Sequence, residues 1–477
     1  MTTTEATPET AESPAALQAD APRPEPATAG LAGEDTGVGS VFVSNYPPYS
    51  AWSADAVPAV ERLLAAPPAD PQAPLGLYLH IPFCRRRCKF CYFRVYTDKN
   101  AGEIGRYADA LAREVELLAE RPAVAGRPLA FVYVGGGTPS YISVRHLEEL
   151  VGRLRAAMPW ERVEEVTFEC EPGTLTESKV GAIKELGVTR LSLGIESFDD
   201  EILRENGRAH VSKEIFRCLP WIEAAGFDQL NVDLIAGMVG ETWESWRATV
   251  ERTLEIAPDS VTVYQLELPF NARFSQQVLA GQFDRPLATW ADKRAWHGWA
   301  FERFEESGYE VSSAYTVVKK RPADERSGFP SRFLYRDALW HGGDLLGTGV
   351  ASFSHLQGLH YQNETGWLPY LEAVESDRLP LARAFETECS DLLRRELILQ
   401  MKLGRVEAEP FRRRFGIDVL ERFAPELERL EAAGALQVTR GNGDGGGRIE
   451  LTRDGLLRVD TLLPELYDER YRGGRYT

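Results

Sequence analysis

The chain has 477 residues, 43% of them hydrophobic, enough for a large core and for two domains with attached arms. No run approaches the ~18 consecutive apolar residues of a membrane-crossing helix. A net charge of -18 disfavours non-specific binding to nucleic acid or to an anionic membrane surface.

Residues 1–38 are rich in Ala, Pro, Thr and Glu and contain no aromatic residue. Such a segment cannot bury enough apolar area to offset its ordering entropy, so a disordered tail is expected there. It carries no basic-then-apolar signal pattern, and a cytoplasmic location is expected for a chain that must keep several thiols reduced. An N-terminal arm is expected over 39–75. It opens on VFVSNYPPYSAW, where Phe42, Tyr46, Tyr49 and Trp52 crowd around Pro47 and Pro48. A helix over 55–66 and the Pro-rich PPADPQAP follow.

The chain is organised around residues 76–96, GLYLHIPFCRRRCKFCYFRVY. Three thiolates spaced CxxxCxxC, Cys84, Cys88 and Cys91, can hold three irons of a 4Fe-4S cluster and leave the fourth without a protein thiolate. An open iron at the end of a strand is a place for a small molecule to coordinate. A structural zinc site normally closes with four ligands in two pairs, and no second CxxC or HxxxH pair occurs. Disulfides do not fit either, because three cysteines within eight positions cannot all pair, while Cys170, Cys218 and Cys389 are scattered singly. His80, in the strand LYLHI, is expected to pack or to orient a neighbour.

Beyond this loop strands alternate with amphipathic helices, the pattern of a parallel α/β fold. Strands are predicted at 77–81, 129–136, 165–170, 190–195, 229–235 and 260–268, with helices between them. The chemistry-bearing residues fall where these strands end, which is where parallel barrels place their sites. The second strand ends in GGGTPS, the third in Glu169-Cys170-Glu171, the fourth in LSLGIES with Glu196, and the fifth in NVDLIAG with Asp233. Glycines let backbone approach a ligand, and a carboxylate at a barrel mouth accepts hydrogen bonds from an amine or a ribose. Any tight strand-to-helix turn is glycine-rich, and a solvated Glu169 is the plain alternative.

HIPFC followed by RRRCKFC resembles the cluster loop of radical S-adenosylmethionine (SAM) enzymes. With Tyr78, His80 and the later stretches it is similar to the oxygen-independent coproporphyrinogen III oxidase family, from about residue 41 to the C-terminus. The resemblance implies an open (β/α)6 partial barrel over 76–320. It also implies a connecting segment over 321–365 that closes the active site, and a mainly helical C-terminal domain over 366–477. It assigns Cys84, Cys88 and Cys91 as cluster ligands and, with Tyr78, as catalytic residues. Tyr78 and Phe90 match positions beside SAM. Gly136, Gly137 and Thr138 match the segment that binds its amino-acid end, and Glu169 matches a further SAM contact. Arg208 and Asp233 match contacts of a second SAM molecule, and Phe353 an apolar residue laid against SAM. Glu196 stands where the family commonly has Gln, and a carboxylate in place of an amide removes a donor and adds charge. Met238, Val239 and Gly240 replace the usual Gly-Leu-Pro, and YFRVYTDKN after Cys91 lacks the Gly-Cys of the decarboxylases.

The implied activity is cleavage of SAM to a 5'-deoxyadenosyl radical, for oxidative decarboxylation of a tetrapyrrole propionate. Arg85, Arg86 and Arg87 are candidate partners of its carboxylates, or else solvated surface. Radical C-methylation or cyclopropanation with two SAM molecules is the alternative, and haem transfer by a chaperone the third, although YRDALWHGG lacks the Arg-His-Asn run usual in that branch. The implied partners are a small-molecule substrate, a tetrapyrrole, and a low-potential donor such as flavodoxin or ferredoxin. The arm resembles one that lies near the active site in the family, and an aromatic clasp that only packs on the barrel is the competing expectation.

Overall fold

The computed structural model describes residues 35–320, 333–441 and 446–474. Most of the expected tail, and residues 321–332 of the expected connecting segment, lie outside the described residues. Residues 35–38 do not behave as tail: Thr36 donates to the Ala288 carbonyl at 2.7 Å, so the arm docks earlier than its composition suggests.

Six parallel strands stand side by side in chain order: β1 (Leu75–Ile81), β2 (Leu129–Gly136), β3 (Glu165–Cys170), β4 (Arg190–Glu196), β5 (Gln229–Ala236) and β6 (Ser260–Gln265). β1 and β2 are nearly continuous apolar runs, whereas β3 to β6 alternate apolar with polar residues, since helices cover one face of the sheet and the polar side chains face the interior. β6 ends three residues before the predicted boundary. There Leu266 N–H turns to the Ala236 carbonyl, Leu268 accepts from Gly39, and Pro269 has no N–H to continue the ladder.

The sheet is larger than six strands. Beyond β6 it adds β7 (Tyr309–Val311) and β8 (Thr316–Lys319), with β8 antiparallel to β6. On the other side of β1 come β9 (Asp344–Thr348), parallel to it, and then β10 (Phe353–Leu356), β11 (Leu359–Asn363) and β12 (Leu381–Glu386), all antiparallel. The strand β12 corrects the expected boundary at residue 366, since it extends the main sheet by pairing with β11. The separate C-terminal core gathers Leu393, Leu397, Phe411, Leu427 and Tyr467 around a three-stranded sheet of β13 (Arg405–Glu407), β14 (Leu436–Thr439) and β15 (Arg448–Leu451). Val43 and Tyr46 of the arm are buried in that second core, so the arm ties the two bodies together. No helix among the described residues is long and apolar enough to cross a membrane.

Candidate active site

The parallel strands end on a cavity of about 440 Å³. Its wall follows the two-residue period of a strand. Thr167 and Glu169 share one face of β3, Ser192 and Gly194 of β4, Asn231 and Asp233 of β5, and Thr262 and Tyr264 of β6, and the register sets Glu169 beside Ser192 and Gly194 beside Asp233. All three thiols of the loop after β1 line this cavity, with Phe90, Gly136, Gly137, Thr138, Glu169, Glu196, Arg208 and Asp233.

Thr138 donates to Cys84 Sγ at 3.3 Å, and Arg208 Nη1 to Cys88 Sγ at 3.3 Å. Gly137 lies so close that a Cβ there would stand 3.0 Å from Cys84 Sγ. Gly136 has φ +118°, and a Cβ on it would meet the His80 ring at 2.7 Å, so both conformation and space demand glycine. His80 is held behind this turn by Tyr78, whose hydroxyl lies 3.1 Å from its Nδ1, and burial lowers its pKa to about 4, which keeps it neutral. Packing and orientation, the roles expected from sequence, describe this geometry.

The carboxylates are unusually enclosed. Glu169 accepts from Tyr133 Oη at 2.5 Å and from Gly136 N–H at 3.0 Å, and burial raises its pKa to about 7. Glu196 is 8% exposed and its pKa rises likewise to about 7 by burial, partly offset by Arg208 at 3.5 Å. Its φ of +67° is a left-handed conformation rare outside glycine, at a register shift that ends β4. Strain of order 1–3 kcal/mol at such a residue persists only where its surroundings enforce it. Asp233 is raised by burial and held by Ser192 and Asn231. For Arg208 burial opposes the charge, but Cys88, Glu196 and Glu171 outweigh it and hold the guanidinium charged.

Two sequence candidates do not line the cavity. Tyr78 sits behind Tyr133, with ring centres 5.8 Å apart. Phe353 is covered by Tyr49, stacked at 4.1 Å, with Trp52 against its edge. The arm itself divides: Tyr46 and Trp52 pack inward, whereas Ser40, Val41 and Phe42 border the cavity. Arg86 and Arg87 also border it, while Arg85 turns to the Ala209 carbonyl. Tyr133 was missed by sequence reasoning, although it stands two residues before Gly135 and therefore on the same face as the glycine turn. Tyr264, Gln265 and His297 were missed because nothing local marks them.

Residues 78–253 match the radical SAM superfamily. An oxygen-independent coproporphyrinogen III oxidase from Synechocystis is 28% identical over 410 residues, covering 82% of this chain and 84% of its own. The enzyme of the same name from Escherichia coli is 28% identical over 407 residues, covering 84% and 83%. The solved structure of the E. coli coproporphyrinogen III oxidase, described as a radical SAM enzyme, has a TM-score of 0.74 at 24% identity and covers 89% of this chain and 96% of its own, which establishes the shared fold.

The superfamily implies a 4Fe-4S cluster and SAM. The donor set fits: three thiols on one cavity lip, two of them receiving hydrogen bonds, beside a glycine cradle that leaves room. Burial raises the Cys84 thiol to about 11 and the Cys91 thiol to about 12, so each keeps its proton until a metal displaces it. Among the described residues no three His, Cys, Asp or Glu side chains are grouped as they would be around a single ion. Residues 78–253 are thus similar to the radical SAM superfamily, and the chain resembles the oxygen-independent coproporphyrinogen III oxidases over more than four fifths of its length.

Proposed function

We propose that this protein oxidatively decarboxylates propionate side chains of a tetrapyrrole of the coproporphyrinogen III type. The observation that carries the reading is the meeting of the three thiols with Glu169, Asp233 and Arg208 on one cavity, in a chain aligned with those oxidases over most of its length. Cys84, Cys88 and Cys91 would hold the cluster, which with SAM bound supplies one-electron cleavage to a 5'-deoxyadenosyl radical.

The protein's own groups position and enclose. Gly136 and Gly137 bring backbone within reach of a ligand, and Glu169, oriented by Tyr133, accepts from an amine or hydroxyl. Thr138 and Arg208 direct hydrogen bonds at two of the thiols. Phe90, which lines the cavity, supplies an apolar wall for an adenine ring. Arg208, Glu196 and Asp233 form a second polar cluster suited to another zwitterionic ligand, and a second SAM molecule is our assignment for it. The electron enters from a low-potential carrier such as flavodoxin or ferredoxin. Tyr78 acts through Tyr133 and His80 rather than at the cavity, and Phe353 acts through Tyr49.

The test is anaerobic turnover of reconstituted protein with SAM, dithionite and coproporphyrinogen III, with products read by mass. Loss of two carbon dioxide units with 5'-deoxyadenosine supports the reading. An unchanged porphyrinogen beside S-adenosylhomocysteine and 5'-deoxyadenosine overturns it in favour of methyl transfer, the activity to which Glu196 in place of a neutral amide would point. Stoichiometric haem binding without SAM consumption overturns it in favour of a carrier.

A further inference from the structure

The β6 side of the cavity carries hydrogen-bond donors that the chain does not satisfy. Gln265, at the end of β6, turns its amide nitrogen toward two acceptors, the Leu457 carbonyl at 2.8 Å and His297 Nδ1 at 3.1 Å. The Leu457 carbonyl fixes which end of the amide faces inward, because an amide oxygen there would meet another oxygen. An amide nitrogen has two hydrogens and no free lone pair. His297 Nδ1 must therefore accept, which places the ring proton on Nε2. That Nε2–H belongs to a side chain only 1% exposed and has no acceptor among the described residues. Burial lowers the His297 pKa to about 3, so the ring stays a neutral donor.

Arg458 lines the same cavity from the C-terminal body. Its Nη2 pairs with Asp454 at 2.8 Å, a carboxylate 66% exposed, while its Nε is buried without a partner among the described residues. The two carboxylates at this end are already engaged. Glu267 accepts from the N–H groups of Val41 and Phe42, both at 3.0 Å, and Asp460 from Lys402 at 2.8 Å and from Val43 N–H at 2.9 Å. Orphaned buried donors each cost about 1–3 kcal/mol, so their presence on a cavity wall points to an acceptor supplied from outside.

We propose that Arg458 and His297 form a carboxylate subsite that holds an acidic side chain of the substrate other than the one being oxidised. The inference rests on the tetrapyrrole reading above and deepens it. A planar, charged guanidinium and a neutral imidazole N–H together match the two oxygens of one propionate. Anchoring on β6 and the C-terminal body would also explain why the two bodies share one cavity.

The test combines two measurements on Arg458→Gln and His297→Phe. KM and kcat for coproporphyrinogen III are taken on reconstituted enzyme, and the affinity for coproporphyrin III, a stable fluorescent tetracarboxylate, is taken on cluster-free protein. Thermal melts report whether each variant is folded. Arg458 is partly exposed and keeps the test open if the buried His297 variant fails to fold. The expected result is a KM and a porphyrin Kd raised about tenfold or more, with kcat within about twofold. A wild-type KM and Kd in folded Arg458→Gln overturns the subsite while leaving the function standing. Wild-type protein that neither converts coproporphyrinogen III nor binds coproporphyrin III overturns the function and the subsite with it.

Discussion

Two buried glutamates on opposite sides of β1 and β2 make an instructive pair. Glu114, on the helix Ala101–Ala119, and Glu169, at the end of β3, are both raised to a pKa of about 7 by burial. Glu114 is closed off. It accepts from Gly349 N–H at 2.8 Å, Tyr370 Oη at 2.7 Å and Asn363 Nδ2 at 2.5 Å, and it pins the turn after β9 to the outer helix layer. Glu169 has two donors from the chain and faces the cavity. A shifted carboxylate therefore measures enclosure on both sides of the sheet. What separates function from scaffolding is the unused acceptor capacity beside the thiols.

The contrast can be broken at its strongest point first. Cys88→Ala should abolish the visible absorbance of the reconstituted cluster and cut SAM cleavage by a factor of about 10³ or more, while the apoprotein still melts cooperatively. Surviving cleavage would remove the cluster assignment. On the scaffolding side, Glu114→Ala strands three buried donors and should cost about 3–5 kcal/mol of stability in denaturant titration, with SAM binding of the remaining folded protein unchanged. Glu169→Gln should do the reverse, weakening SAM binding by about 10- to 100-fold in calorimetry with little change in melting. If Glu114→Ala spared stability, or if Glu169→Gln cost as much stability as Glu114→Ala, the division between the two sites would fall.

A pH series sharpens the same comparison. Each carboxyl keeps its proton in the folded state up to about pH 7, whereas the unfolded chain releases it near the ordinary value of 4.5. The native state thus holds more protons between these values, and stability falls as pH rises through that window, by on the order of 3 kcal/mol for Glu114. Glu114→Gln should flatten the slope of apoprotein stability between pH 4.5 and 7. A slope unchanged from wild type would mean that Glu114 is ionised in the fold. The smallest effect is expected from Glu196→Gln, which keeps shape and removes the negative charge facing Arg208. It should shift substrate or second-ligand affinity by about tenfold or less and leave cluster assembly intact, as read by iron content. Failure to assemble the cluster would show that Arg208 depends on Glu196 to reach Cys88.

Much of the site was legible because its signals are local. Cys84, Cys88 and Cys91 fall within one turn-rich loop, GGGTPS, Glu169 and Glu196 each mark a strand end, and Asp233 lies on the cavity face of β5. Residues whose role depends on a partner far along the chain were not legible. Phe353 reads as a cavity residue until Tyr49 is found stacked on it, and β12 reads as part of a helical domain until it pairs with β11. Strands of four to six residues carry too weak a pattern to announce which sheet they extend.

By itself the sequence determined the order of the parallel strands, the face each presents to the interior and the three thiols on one loop, because the two-residue period of a strand and the reach of a short loop are set by neighbouring residues. Tertiary structure alone decided that Arg208 meets Cys88, that Tyr133 orients Glu169, and that Gln265 fixes the His297 proton under the Leu457 carbonyl. Those contacts join residues 32 to 192 positions apart, and they form only once the sheet has curved and the C-terminal body has closed over it, since hydrogen-bond geometry tolerates only a few tenths of an ångström.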